Sequence, residues 1–214
     1  MTLRLQKIDE TNRQDHYYLA PDDECFFLYE YTAGAGWSGG ETNQLIHNLQ
    51  KKRGDGGYNY KSGAIQNCSD AFSRTLNADW LAKAVIVPVP PSKVKSDELF
   101  DDRIFRICRG IRKPGEPVVN ELIEQIKSTE TFKGGNRLKP AELRVNYKFD
   151  ESLLKDLPND IGVVDDVLTT GSHYRAIKDM ILEQKPDARV VGFFVTRRAI
   201  PNPFSAVSLE DLLK

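Results

Sequence analysis

Ile161-Gly-Val-Val-Asp-Asp-Val-Leu-Thr-Thr-Gly171 passes from a β-branched, uncharged run into two adjacent carboxylates and then into a hydroxyl-rich loop closed by glycine. The opening run has no polar alternation, the pattern of a strand covered on both faces in a parallel sheet. A helical pattern follows from Gly171 to Gln184, with Ile177, Met180 and Ile181 on its inner side. Arg189-Val-Val-Gly-Phe-Phe-Val195 is a further buried run. Strand, helix and strand at this spacing form a βαβ unit and call for a parallel sheet. Upstream, Ala84-Val-Ile-Val87 is another such run, ended abruptly by Pro88-Val-Pro-Pro91. The expected class is α/β, a parallel sheet flanked by helices with a small added subdomain from the termini.

The rest of the chain is read around this centre. Residues 1–24 are polar and read as a loosely ordered lead-in, and Cys25 to Thr32 is an aromatic-rich strand. After a glycine-rich loop, Glu41 to Arg53 carries Leu45, Ile46 and Leu49 on one helical face, and Gly54-Asp-Gly-Gly57 stops it. Ser62 to Leu81 reads as a second helix through Ile65, Cys68, Phe72 and Leu76. Asp97 to Ile111 reads as a helix with Leu99, Ile104, Ile107 and Cys108, and Val118 to Ile126 as another short one. Residues 128–150, rich in Gly, Lys, Arg and Asn, are expected to hold a mobile loop. The expected organisation is one globular domain in three parts. Residues 1–80 elaborate the core, 81–198 form it, and 199–214 are a tail.

Composition narrows the function classes. The 214 residues carry 30 Lys plus Arg against 31 Asp plus Glu, a formal charge of −1. That balance lacks the broad positive footprint of a nucleic-acid coat protein and leaves room only for a local basic groove. The first residues carry no apolar h-region, and the most apolar stretch, around Ala84 to Val89, is too short to span a bilayer. No membrane association is expected. Cys25, Cys68 and Cys108 are odd in number and far apart, which supports neither a zinc ribbon nor a disulfide framework. Reduced thiols and a cytoplasmic location are the expectation.

The chemistry concentrates after the acidic strand end. In open α/β sheets, ligands bind outside the carboxyl ends of the strands. A helix N-terminus there offers backbone N–H groups and partial positive charge to an anion. Thr169, Thr170 and Ser172 add hydroxyl donors, and Gly171 permits close backbone approach. That half suits a phosphate. Asp165 and Asp166 accept hydrogen bonds and suit hydroxyls or a hydrated cation. A phosphate with a diol beside it describes ribose 5-phosphate. The bland alternative, an N-cap and turn, explains one Asp better than two followed by Thr-Thr-Gly.

At these residues the chain resembles the type I phosphoribosyltransferases, whose signature is an apolar strand, two acidic residues and Thr-Thr-Gly. Within them it is most similar to the ComF-type proteins linked to DNA uptake. Tyr29-Glu-Tyr31 followed by Asn43 to Lys51 resembles their amino-terminal strand and helix. Val85-Ile-Val-Pro-Val-Pro90 resembles their first core strand and its turn, and Arg144-Val-Asn146 with Phe149 their Arg-x-x-Asn…Phe segment. The likeness covers about residues 25–198. The chain departs from the family in lacking a four-cysteine zinc module and in carrying His173 where a Ser or Thr is usual.

The resemblance implies a phosphoribosyltransferase-like fold that binds 5-phosphoribosyl 1-pyrophosphate with magnesium and displaces pyrophosphate at the anomeric carbon. Asp165 and Asp166 would hold the ribose, with any magnesium contact running through water and pyrophosphate. Val167, Leu168, Thr169, Thr170, Gly171, Ser172 and His173 would form the phosphate loop. Pro91, Ser92 and Lys93 would cradle pyrophosphate, with Val94 supplying a further N–H. Arg144 and Arg137 would close over the leaving group, and Lys51 would contact the ligand. Rival readings are a non-catalytic sensor of phosphoribosyl pyrophosphate and an accessory factor in a nucleic-acid process. A homodimer fits the superfamily. Gly34-Ala-Gly36-Trp-Ser-Gly39 matches a dinucleotide fingerprint in letters, yet no second strand ending in an acid follows. His16 and His47 show no partner in the sequence.

Overall fold

The computed structural model describes residues 3–113, 116–129 and 138–201. Strands Gln6–Lys7 (β1) and Glu24–Thr32 (β2) lead into helices Glu41–Leu49 (α1), Tyr60–Thr75 (α2) and Ala78–Leu81 (α3). Strand Ala84–Pro88 (β3), helix Arg103–Arg109 (α4) and strands Val118–Val119 (β4) and Ile123–Gln125 (β5) follow. The chain continues through helix Pro140–Arg144 (α5), strands Tyr147–Phe149 (β6) and Asp160–Leu168 (β7), helix Ser172–Gln184 (α6) and strand Arg189–Ala199 (β8).

The three uncharged runs become neighbouring strands of a six-stranded sheet ordered β1-β2-β8-β7-β3-β4. Every pairing is parallel except β1 with β2. All five residues of β3 are buried, as a strand covered on both faces requires. β5 and β6 form a separate antiparallel pair. Alternation along each strand feeds two cores. On one face Val85, Val87, Ile161, Val163 and Phe194 pack with Ile177 and Ile181 of α6. On the other, Ile86, Val164, Phe193 and Val195 pack with Leu49 of α1, Phe72 of α2 and Ile107 of α4.

This layering fixes where a ligand can enter. From β7 the chain crosses through α6 to β8 on one side, whereas from β3 it crosses through α4 to β4 on the other. Strand order therefore reverses between β7 and β3, which opens a crevice at their carboxyl ends.

Several local expectations are corrected. Val118 to Ile126 is not a helix but parts of β4 and β5. Val118 and Ile126 are exposed, so no helical stripe forms, and β4 satisfies its backbone against Val85 and Ile86 of β3. The lead-in is ordered, with Ile8, His16, Leu19 and Asp23 buried. Within 128–150, residues 138–150 hold α5 and β6, while 130–137 lie outside the described residues. The second helix stops at Thr75, and Asn77 caps a new short one by accepting from Trp80 N–H at 2.9 Å. The helix expected from Asp97 begins only at Arg103. Asp97 and Asp101 instead accept from Leu99 and Arg103 N–H in local turns. Residues 1–80 supply β1 and β2 to the same sheet as the later strands. Among the described residues, no helix is long and apolar enough to cross a membrane.

Candidate functional site

The period-two geometry of β7 sends Asp165 and Asp166 to opposite faces. Asp166 continues the Val164 side, and its carboxylate is nearly buried. Its Oδ2 accepts from Gln50 Nε2 at 2.9 Å and from Arg103 Nε at 3.0 Å. Arg103 also donates to Asp101 at 2.6 Å, and Asp101 accepts from Lys61 Nζ at 2.8 Å. Lys61 is itself buried and donates to the carbonyls of Leu49 and Lys51, each at 2.8 Å. These carbonyls belong to the end of α1, where a cation is favoured. Burial works against the Asp166 charge, but Arg103 and Gln50 outweigh it and hold the carboxyl below its ordinary range. Burial lowers the Lys61 ammonium, with Asp101 opposing.

Asp165 has a different setting. It accepts the Asp166 N–H at 2.8 Å. Burial, with the adjacent Asp166 charge, pushes its carboxyl well above the ordinary range. On its side stands Tyr147 of β6, whose hydroxyl is raised by burial and by the field of Asp165. The Tyr147 hydroxyl and His173 Nδ1 are hydrogen-bonded at 2.7 Å.

The loop between β7 and α6 turns on Gly171, at φ +86°. A Cβ there would also meet Leu19 Cδ2 at 2.9 Å, so glycine answers both a left-handed backbone and a close approach. Thr170 and Ser172 are buried, and Thr170 Oγ1 has no hydrogen-bond partner among the described residues. The ladder of α6 starts with Arg175 N–H on Gly171 O at 2.9 Å. The earlier amides thus have no intrahelical acceptor, which makes this helix start suited to an anion.

The turn after β3 fits a pyrophosphate cradle less well than its sequence suggested. Val94 N–H is taken by Ser128 Oγ at 3.2 Å, and Ser92 O accepts from Thr129 N–H at 2.8 Å. Pro90, Pro91 and Lys93 line a cleft whose other walls include Phe105, Ile123 and Glu124. Arg144 is not brought to the crevice. It pairs with Glu183 at 2.6 Å. Glu183 lies eleven residues beyond Ser172 on α6, roughly 16 Å along the helix at the standard rise. The Lys51 ammonium donates to Gly56 O in the neighbouring loop. Arg137 lies outside the described residues.

Gln50, Lys61, Asp101, Arg103 and Tyr147 escaped the sequence reading, as did His16, whose ring is hydrogen-bonded to the Thr169 carbonyl. Each arrives from an element distant in sequence, and a polar side chain at a helix end or in a turn carries no mark of its partner. Among the described residues, magnesium has no protein cage. The two carboxylates diverge and one is bound to Arg103, and among the described residues no group of three or more His, Cys, Asp or Glu is placed to hold a metal. The donor set does not fit a directly ligated ion. No protein-family model matches the sequence, and no curated protein matches it.

Proposed function

We propose that the crevice between β3 and β7 binds a 5-phosphoribosyl ligand, in the manner of the type I phosphoribosyltransferases that the motif resembles. One observation carries this reading. An acidic strand end at the strand-order reversal is followed at once by a left-handed glycine and the start of α6. The phosphate falls to the amides and hydroxyls of Thr169 to His173. The ribose diol falls to Asp165, whose carboxyl oxygens can accept from sugar hydroxyls. Asp166 acts through Arg103 and Gln50, which fix the strand end.

The reaction that follows from the resemblance is displacement of pyrophosphate at the anomeric carbon. The centre passes through an oxocarbenium-like state, as in glycoside hydrolysis. The chain's part is to hold the sugar and exclude water. Magnesium belongs in this reading to the pyrophosphate as its counter-ion, not to a protein ligand set. A second reading, binding without turnover, draws support from Asp166 being saturated by Arg103 and Gln50 and from Arg144 facing Glu183.

Calorimetric titration of phosphoribosyl pyrophosphate, with and without magnesium, and of ribose 5-phosphate tests the site. Magnesium-dependent binding of the pyrophosphate is the expected result. Silence of both ligands rejects it. Pyrophosphate release with a panel of nucleobases then separates transferase from sensor.

A further inference from the structure

The segment ahead of β2 lies directly on the candidate phosphate loop. Arg13 to His16 form one 3-10 turn, and the His16 ring is fully buried. Its Nδ1–H donates to the Thr169 carbonyl. Two residues on, Tyr18 N–H donates to the Thr170 carbonyl at 2.9 Å. Leu19 then fills the space that Gly171 leaves by lacking a Cβ. Three consecutive loop residues are thus met by three residues of one short segment.

The segment is anchored at both ends. Asp15 pairs with Arg197 of β8 at 3.4 Å. Asp23 accepts Ala20 N–H at 2.7 Å and is buried against Lys178 and Arg175 of α6. It is therefore a strap tied to β8, the neighbour of β7, and to α6, which the loop opens.

Peptide geometry gives the strap a consequence. In a planar trans peptide the C=O and the following N–H point in opposite directions. Turning the Thr169 and Thr170 carbonyls onto the strap turns the Thr170 and Gly171 N–H groups away from it. We propose that His16 is a positioning residue. With Tyr18 and Leu19 it sets the two peptide planes so that these amides present themselves together to the ligand's phosphate. This rests on the phosphoribosyl reading for the identity of the ligand, not for the strap.

The tautomer follows from the contact. A ring that donates from Nδ1 carries its lone pair on Nε2, and Nε2 is buried with no partner among the described residues. A second proton there would add a donor without an acceptor, beside the charges of Arg197 and Arg198 on β8. The field of Asp15, on the same turn, acts in the opposite sense. Burial accordingly lowers the His16 pKa, in spite of the Thr169 carbonyl.

The test compares His16→Leu with His16→Asn, whose amide can restore a donor near the Nδ1 position. Hydrogen exchange of the Tyr18 amide, which donates to Thr170, should quicken in ligand-free His16→Leu and return toward wild type in His16→Asn. Ribose 5-phosphate affinity should fall roughly tenfold in the first and recover in the second, the scale of one lost hydrogen bond. Unchanged exchange in His16→Leu, or no recovery in His16→Asn, overturns the proposal. If no variant, wild type included, binds the sugar phosphate while exchange responds as expected, the strap stands and the phosphoribosyl reading falls. Nitrogen NMR of the wild-type ring needs no variant: a neutral Nδ1–H form supports the proposal, and an Nε2–H form overturns it.

Discussion

On the α2 and α4 side of β7, Asp166 ends a chain of alternating charges that runs through Arg103 and Asp101 to Lys61. On the α6 side, one residue earlier, Asp165 faces a tyrosine hydroxyl and a loop whose Thr170 hydroxyl has no partner among the described residues. The first region has spent its hydrogen-bonding capacity inside the protein. The second has not, and a ligand gains most where buried polar groups still lack partners. Neighbouring carboxylates of the same type thus take different settings, one holding the strand end and one left for the proposed ligand, because a strand sends successive side chains to opposite faces.

The largest effect should come from the saturated side. Removing one partner of a buried ion pair leaves the other uncompensated. Arg103→Met removes the cation beside Asp166 and leaves Asp101 with Lys61 alone, and should cost about 3 kcal/mol in urea unfolding. A loss near zero would break the comparison by showing that the network carries no stability. Gly171→Ala should come next, at about 2 kcal/mol, from left-handed backbone strain plus the clash with Leu19. Repeating it in a Leu19→Ala background sharpens the point. The two changes should then cost less together than the sum of their separate effects, since the clash is shared.

Asp165→Asn should have a smaller effect on stability but a strong one on binding. A carboxyl raised in the folded state favours folding while it is protonated in both states. As pH climbs above the unfolded value of about 3.9, the unfolded chain ionises first and the wild type loses stability until the folded pKa is passed. The amide variant lacks that loss. Its stability relative to wild type should rise with pH above about 4, read as unfolding midpoints across a pH series. Asp166→Asn should move the opposite way, because its carboxyl is lowered in the fold and stabilises above the unfolded pKa. Parallel curves for the two variants would contradict the division of roles.

The sheet was legible because its central strands carry uncharged, largely β-branched or aromatic runs, so that Ala84 to Val87, Ile161 to Val164 and Val190 to Val195 announced themselves. Val118 to Ile126 misled because its apolar residues fit a helical spacing as well as two short strands, and only the β3 edge decides between them. In the site, the Asp165 to Gly171 segment was readable as one local motif. Gln50, Arg103 and Tyr147 were not, because each meets it through tertiary packing. His16 was hidden deepest. It sits in a polar, aperiodic stretch, and its burial comes from a loop more than 150 positions away.

Arg144 marks the limit of reading by likeness, and it should give the smallest effect. Its neighbours in sequence matched a family segment, yet α5 packs against the distal part of α6 and turns the guanidinium onto Glu183. That pair is partly solvent-exposed on both sides, and such pairs contribute little because water competes for each charge. Arg144→Ala should shift stability by no more than about 0.5 kcal/mol. It should leave phosphoribosyl pyrophosphate affinity unchanged, since the side chain lies a helix length from the loop proposed to hold the phosphate. A marked loss of affinity in this variant would mean that α5 swings toward the crevice when ligand enters, and would place the working surface on the α6 side over a wider area than Asp165 and its loop.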